Sequence, residues 1–157
     1  MKQIILLISF ILLSSCNNED QDSKDNIPGT IIFNTSLTLS DTFDQSVNTF
    51  TQGETINVEI SLSSNARENQ ILKFNTYQFY DLYIVDDEEN EMWRQSDITN
   101  YKQEATELIL EDNHIITFIE NLDKNIFEGG GLDIGSYTLY GYWLGYGSPT
   151  SVEFEIE

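Results

Sequence analysis

Asp86, Asp87, Glu88, Glu89 and Glu91 crowd five carboxylates into six positions, the densest set of oxygen ligands in the chain. A hard cation such as Ca²⁺ takes about six to eight oxygens, but the ordered Asp/Asn alternation, glycine and distal Glu of a calcium loop are missing here. The run therefore reads as a solvated turn. His114 lies beside Asp112 and is the only histidine, and Cys16 is the only cysteine. Neither a multi-His metal centre, a Cys-rich zinc site, an internal disulfide nor a Cys/His nucleophile pair can be assembled from them. Gly129-Gly130-Gly131-Leu132-Asp133-Ile134-Gly135 has the look of a phosphate loop, yet Ile134 stands where a third spaced glycine is needed and the segment leads into a strand. With no nucleophile, base and orienter in readable relation, the chain is not expected to be an enzyme, and no metal or cofactor is expected. What remains are residue types suited to recognition, above all Tyr137, Tyr140, Tyr142, Trp143 and Tyr146.

The single thiol has a different use. Met1-Lys2-Gln3 gives a short positive start, Ile4 to Leu13 is an almost unbroken apolar run, and Leu13-Ser14-Ser15-Cys16 follows. A run of roughly ten residues is too short to span a bilayer as a helix, which needs about 20, so residues 1–15 read as a signal peptide. Leu, two small residues and Cys resemble the lipobox of bacterial lipoproteins, which implies a lipid on Cys16 and a place in the bacterial cell envelope, facing the periplasm or the cell surface. Residues 16–28 then form a polar tether, because Asn17 to Asn26 contains no apolar residue that could pack.

Seven Lys and Arg against 27 Asp and Glu give a formal net charge of −20. Such a chain is repelled by polyanions, so nucleic acid is excluded as a partner and the membrane is reached through the lipid on Cys16 only. Basic proteins are favoured instead, with association that is faster at low salt. A hydrophobic fraction of 39% with 19 aromatic residues supplies a core, and the length fits one domain, expected over residues 29–157.

The elements that position these residues follow a period of two. Ile56, Val58, Ile60 and Leu62 alternate with Asn57, Glu59 and Ser61, as Val152, Phe154 and Ile156 do with Glu153 and Glu155. Further strands are expected over Ile31 to Leu39, Ile71 to Phe74, Phe79 to Val85, Glu91 to Gln95, Glu107 to Leu110, Ile115 to Ile119 and Tyr137 to Leu144. Only Ser96 to Thr106 lacks alternation and has room for one helical turn. About eight or nine short strands separated by turns predict an all-β, antiparallel, immunoglobulin-like sandwich, with a closed barrel as the other arrangement.

Two hairpins are expected. Tyr80 to Gln95 turns at Asp86 to Asn90, with Asn90 suited to a left-handed position, and a second turns at Glu111-Asp112-Asn113, setting Leu108 and Leu110 against Ile116 and Phe118. Tyr140 and Tyr142 share one face of their strand while Trp143 lies on the other, so some of these rings must be outside the core. Tyr137, after Gly135-Ser136, is placed as in the tyrosine corner of Greek-key sandwiches, or more plainly as a buried Tyr bonding local backbone.

Gly53-Glu54 before an alternating strand, Leu72-Lys73-Phe74-Asn75, Gln78-Phe79-Tyr80-Asp81-Leu82, an acidic turn, Met92-Trp93-Arg94-Gln95-Ser96 and Leu108 to Phe118 together resemble the intracellular proteinase inhibitor (BsuPI) family. The most specific part of the resemblance is Phe79, Tyr80 and Asp81 followed by Trp93, Arg94 and Ser96. Asn90 and Asn113 replace turn glycines of the family pattern, and Leu122 stands roughly where that pattern often has a Trp. The resemblance implies an immunoglobulin-like sandwich and a protein partner, with inhibition of subtilisin-type serine proteases as the founding activity. An exported lipoprotein has no access to an intracellular protease, so the target is another enzyme or only the scaffold is kept. A loop-docking inhibitor would use Asp86, Glu88 and Asn90 at the acidic turn, or the Ser96 to Thr106 segment with Tyr101. A non-inhibitory envelope scaffold or adhesion domain, binding a protein or glycan, would use Tyr140 and Tyr142.

Overall fold

The computed structural model describes residues 30–127 and 130–157. The expected signal peptide 1–15, Cys16 and the tether 16–28 lie outside the described residues, as do Glu128 and Gly129 of the glycine loop. Ten strands and one helical turn follow in the order β1 (Phe33–Ser40), β2 (Thr49–Phe50), β3 (Ile56–Ser64), β4 (Gln70–Phe74), β5 (Tyr80–Asp86), β6 (Glu91–Arg94), α1 (Gln95–Ile98), β7 (Thr106–Leu110), β8 (Ile116–Leu122), β9 (Gly135–Trp143) and β10 (Tyr146–Ile156). They form a three-stranded sheet β1-β3-β8, a five-stranded sheet β2-β10-β9-β5-β6 and a two-stranded ribbon β4-β7. The two larger sheets pack as an all-β sandwich.

Alternation explains the core directly. Ile56, Val58, Ile60 and Leu62 of β3 are buried and meet Leu82 and Ile84 of β5 and Leu139 and Trp143 of β9 in a single cluster. Each such aliphatic side chain contributes roughly 1.5–3 kcal/mol by leaving water. Gly141 of β9 lies where the sheets come closest. A Cβ there would sit 3.1 Å from Ile60 Cδ1 and Leu82 Cδ2 and 3.2 Å from Leu37 Cδ1. The glycine is therefore the position over which three aliphatic side chains close.

Several boundaries and pairings differ from the sequence reading. The second expected hairpin is not a ladder: β7 pairs with β4, setting Leu72 opposite Leu108, while β8 pairs with β3, setting Leu62 opposite Ile116 and Ile60 opposite Phe118. The turn itself exists, with Asn113 at φ 57°. The seven-residue β3–β8 register, which sets Leu122, Phe118 and Ile116 beside the buried Ile56, Ile60 and Leu62 and Glu120 beside Val58, prevails over the adjacency of β7 and β8 in the chain. At the first hairpin, which does form through β5 and β6, the left-handed residue is Glu89 at φ 66° rather than Asn90. Asp86 Oδ1 accepts from Glu88 N at 3.0 Å and Asn90 N at 2.8 Å, and Asp86 Oδ2 accepts from Asn90 Nδ2 at 2.9 Å, which imposes that backbone on Glu89.

Ile31 and Ile32 precede β1 and are exposed, and the helical turn starts at Gln95, one residue ahead of the expected segment. β10 begins at Tyr146, and a register shift between Tyr146 and Thr150 accommodates Pro149 within it. Thr49 and Phe50 form an unexpected short strand, parallel to Glu155 and Ile156 and the sole parallel pairing among the described residues. Tyr137 is buried, and its hydroxyl donates to the Asp133 carbonyl at 2.9 Å, a bond to backbone four residues upstream that both of its readings share.

Gly141→Val is expected to lower stability by roughly 1–3 kcal/mol through overpacking. Urea unfolding measures this, and a loss near zero would show that the sheets are free to separate at that point.

Candidate functional site

Asp81 opens the site because a carboxylate in the second position of a strand, 2% exposed, must be accounted for by its neighbours. Strand parity turns Asp81 away from the inter-sheet core, toward the outer face of the five-stranded sheet. There it lies opposite Tyr142, as Tyr83 lies opposite both Tyr140 and Arg94. The expected pairing of Tyr140 and Tyr142 on one face holds, with Trp143 buried on the other.

Five donors converge on the carboxylate. Oδ1 accepts from Leu82 N and Ser96 N, both at 3.1 Å. Oδ2 accepts from Ser96 Oγ at 2.9 Å, Arg94 Nη1 at 3.1 Å and the Tyr142 hydroxyl at 3.2 Å. Arg94 has no side-chain capping bond to offer α1, so Asp81 supplies the acceptor for the second amide of that turn, Ser96 N, from a neighbouring strand. The guanidinium also holds Glu91, with Nη2 2.5 Å from Oε2, and lies 4.4 Å from the centroid of Tyr83, which stacks on Tyr140 at 4.9 Å and 9°. Glu91 foremost, with Asp81 adding to it, pushes the Arg94 pKa further above its ordinary value. Burial, and then the Asp81 charge, raises the Tyr142 hydroxyl, so it stays a donor.

The six residues of the sequence signature thus divide by role. Asp81, Arg94 and Ser96 form the carboxylate hub. Trp93 is buried against Phe127. Phe79 and Tyr80 line a groove between β5, α1 and β8. Tyr83, Gln95 and Glu120 were not singled out from the sequence. Tyr83 was within reach, since it lies two residues from Asp81 on a strand, whereas Glu120 comes from the opposite sheet and carries no local signal.

Of the residues considered for partner contact, the hub engages Tyr142 and the Tyr83–Arg94 stack engages Tyr140, so neither ring stands alone as a platform. Asp86, Glu88 and Asn90 form the self-bonded turn at the far end of β5, on the order of 17 Å from Asp81 by strand rise. Tyr101 lies half-buried in the segment after α1, close to the hub. From Thr99 to Ala105 that segment has no regular structure, Lys102 to Ala105 is exposed, and its course is fixed by the Ser96–Asp81 bonds and by Tyr77 N donating to the Lys102 carbonyl at 3.0 Å. His114 sits at an exposed turn, its Nδ1 2.9 Å from the Asp112 carbonyl. Among the described residues no group of three or more His, Cys, Asp or Glu is arranged to hold a metal ion.

The hub is thus a fully bonded carboxylate on the outer face of an all-β sandwich, joined through Ser96 to the root of an exposed segment. The profile of the intracellular proteinase inhibitor family (BsuPI) matches residues 43–146, which take in the whole hub and the braced segment. The chain belongs to that family. Among curated proteins no sequence relative is found. Among solved structures it is similar to the Pseudomonas fluorescens alkylpurine DNA glycosylase AlkC bound to DNA containing an abasic site analog, with 15% identity, TM-score 0.47, and coverage of 81% of this chain and 30% of that one. A β-glucosidase from Listeria innocua in complex with isofagomine gives 11% identity, TM-score 0.45 and coverage of 81% and 16%. The sporulation control protein Spo0M from Bacillus subtilis gives 11%, 0.42, and 80% and 49%. The chain spans less than half the length of each.

Arg94→Ala leaves Asp81 buried without its cation. A fully buried pair broken this way loses about 3–5 kcal/mol, and because Arg94 is a quarter exposed the expected loss is roughly 2–3 kcal/mol. Chemical denaturation tests it; a change under about 0.5 kcal/mol, the size of an ordinary surface substitution, would mean that water replaces the guanidinium freely.

Proposed function

We propose that the protein is a lipid-anchored, extracytoplasmic binding module that inhibits a serine protease of the subtilisin type by docking the Thr99 to Ala105 segment. One observation carries this reading: three of the six residues most specific to the family, Asp81, Arg94 and Ser96, meet in a single hub whose effect is to fix the root of an exposed, irregular segment. A binding loop held in one conformation before contact loses less entropy on docking, which is how a rigid inhibitor outcompetes a flexible substrate. The Asp86 to Asn90 turn is also rigid, but it is closed on itself by its own side chain. A protease cleft takes an extended stretch of backbone, and Thr99, at the root of the segment after α1, is extended at φ −110° and ψ 122°. The module binds without chemistry of its own, and the lipid on Cys16 with the polar tether of residues 17–26 would hold it off the membrane surface.

The full chain titrated against subtilisin-type and trypsin-type serine proteases is expected to remove activity stoichiometrically. Ser96→Ala, which frees the root of the segment, is expected to weaken inhibition about tenfold, equivalent to about 1.4 kcal/mol. Cleavage within Thr99 to Ala105 with full retention of protease activity would overturn the inhibitor reading. In the same preparations Cys16→Ala is expected to move the protein from the membrane fraction to the soluble one, and unchanged membrane recovery would refute the lipid anchor.

A further inference from the structure

Beside the hub, on the inward side of β5, a groove of about 300 Å³ opens between the edges of the two sheets. Tyr77, Tyr80, Tyr101 and Phe118 give it aromatic walls, and Glu120 and Gln95 are its polar groups. Glu120, half-buried on β8, uses one oxygen only: Oε1 accepts from the Tyr80 hydroxyl and from Gln95 Nε2, the latter at 2.8 Å. Burial, and then the Glu120 carboxylate, pushes the Tyr80 hydroxyl well above its ordinary pKa, so it remains a donor.

Two acceptors are left over. Among the described residues Glu120 Oε2 has no hydrogen bond and Glu120 has no cation in salt-bridge range. Gln95 is 7% exposed, and its Oε1 has no hydrogen-bond partner. Its amide orientation is set by the Nε2 bond to Glu120, so the oxygen is the unmatched end. A buried acceptor without a donor costs about 1–3 kcal/mol. Lys102 lies 5.4 Å from the centroid of Tyr77 and pairs with Glu104.

We propose that this groove receives an arginine side chain of a protein partner. A guanidinium is planar, stacks on aromatic rings, and carries five donors in a fixed fork, which suits the unbonded Glu120 Oε2 between aromatic walls; Gln95 Oε1 is closed to water and accepts from the same fork only after its side chain shifts. An ammonium would stack less well, and a neutral side chain would leave the Glu120 charge unmatched. Charge complementarity points the same way, since 27 acidic residues against seven basic ones draw a basic partner to the surface. The inference rests on the reading of the chain as a protein-binding module and names the partner side chain seated next to the Thr99 to Ala105 segment.

The test is a titration of the ¹⁵N-labelled full chain in detergent micelles with acetyl-Gly-Arg-Gly-amide, followed by NMR. Saturable shifts are expected at the Gln95 side-chain amide and the Tyr101 backbone. The citrulline peptide, similar in shape and uncharged, is expected to bind at least tenfold more weakly. Glu120→Gln, which keeps an acceptor for Tyr80 and Gln95, and Tyr101→Ala, at the rim, are each expected to weaken the arginine peptide at least tenfold while thermal unfolding stays cooperative. Equal binding of the citrulline peptide, unchanged affinity in Tyr101→Ala, or shifts gathered at Asp86 to Asn90 would overturn the proposal. A chain that binds the arginine peptide and inhibits no protease would overturn only the inhibitor reading. One that inhibits a protease and ignores the peptide would overturn only the groove.

Discussion

A carboxylate with almost no contact with water costs several kcal/mol in desolvation unless donors and a cation surround it, and Asp81 is such a group. Its five hydrogen bonds come from β5 itself, β6, α1 and β9, so the requirement is met only when all four are in place. Removing any one donor leaves the charge less compensated, which couples the position of the helical turn to the register of the sheet. The outer face of a sheet usually varies freely. Here one position on it dictates where the chain goes next.

The sandwich supplies what the hub cannot. β5 lies between β9 and β6, so one face of that strand carries Leu82 and Ile84 into the core and the other presents Asp81 and Tyr83 to Arg94 and the tyrosines. Strand parity separates the two tasks without competition between them. The same strand continues into a turn held by the Asp86 carboxylate, whose pKa is lowered by its bonds to Asn90. Two aspartates at opposite ends of one strand thus organise two different loops, one through contacts across the sheet and the other through contacts within five residues.

Alternation made the sandwich readable from the chain because burial of one face forces a period of two, and the strands carrying Ile56 to Leu62 and Val152 to Ile156 follow it closely. Chain adjacency was the misleading signal. β7 and β8 are separated by a short turn yet belong to different sheets, and only three-dimensional pairing with β4 and β3 decides that. β2 is two residues long and has no pattern to read. Glu89 takes a left-handed backbone because Asp86 bonds on both sides of it, an effect that residue preference at Asn90 does not anticipate. The hub was legible through family resemblance as a set of residues, but its geometry required the register that brings Tyr142 opposite Asp81. Glu120 was invisible for the complementary reason, since it reaches Tyr80 and Gln95 across forty and twenty-five positions of sequence.

The placement of β10 has a kinetic meaning. This strand, the last to leave the ribosome among those described, lies inside the five-stranded sheet between β9 and β2, and its closing residues Glu155 and Ile156 pair with Thr49 and Phe50 more than a hundred positions earlier. A nascent or truncated chain therefore presents β9 as a raw edge and leaves β2 unpaired, and loop-closure entropy over that separation must be overcome before the ladder can form. Cooperative folding is deferred until β10 has been made. For a chain that is to be threaded through a translocation channel, as the proposed export route requires, late closure keeps the polypeptide extended during transit. The price is an interval in which the exposed β9 edge is open to pairing with other chains.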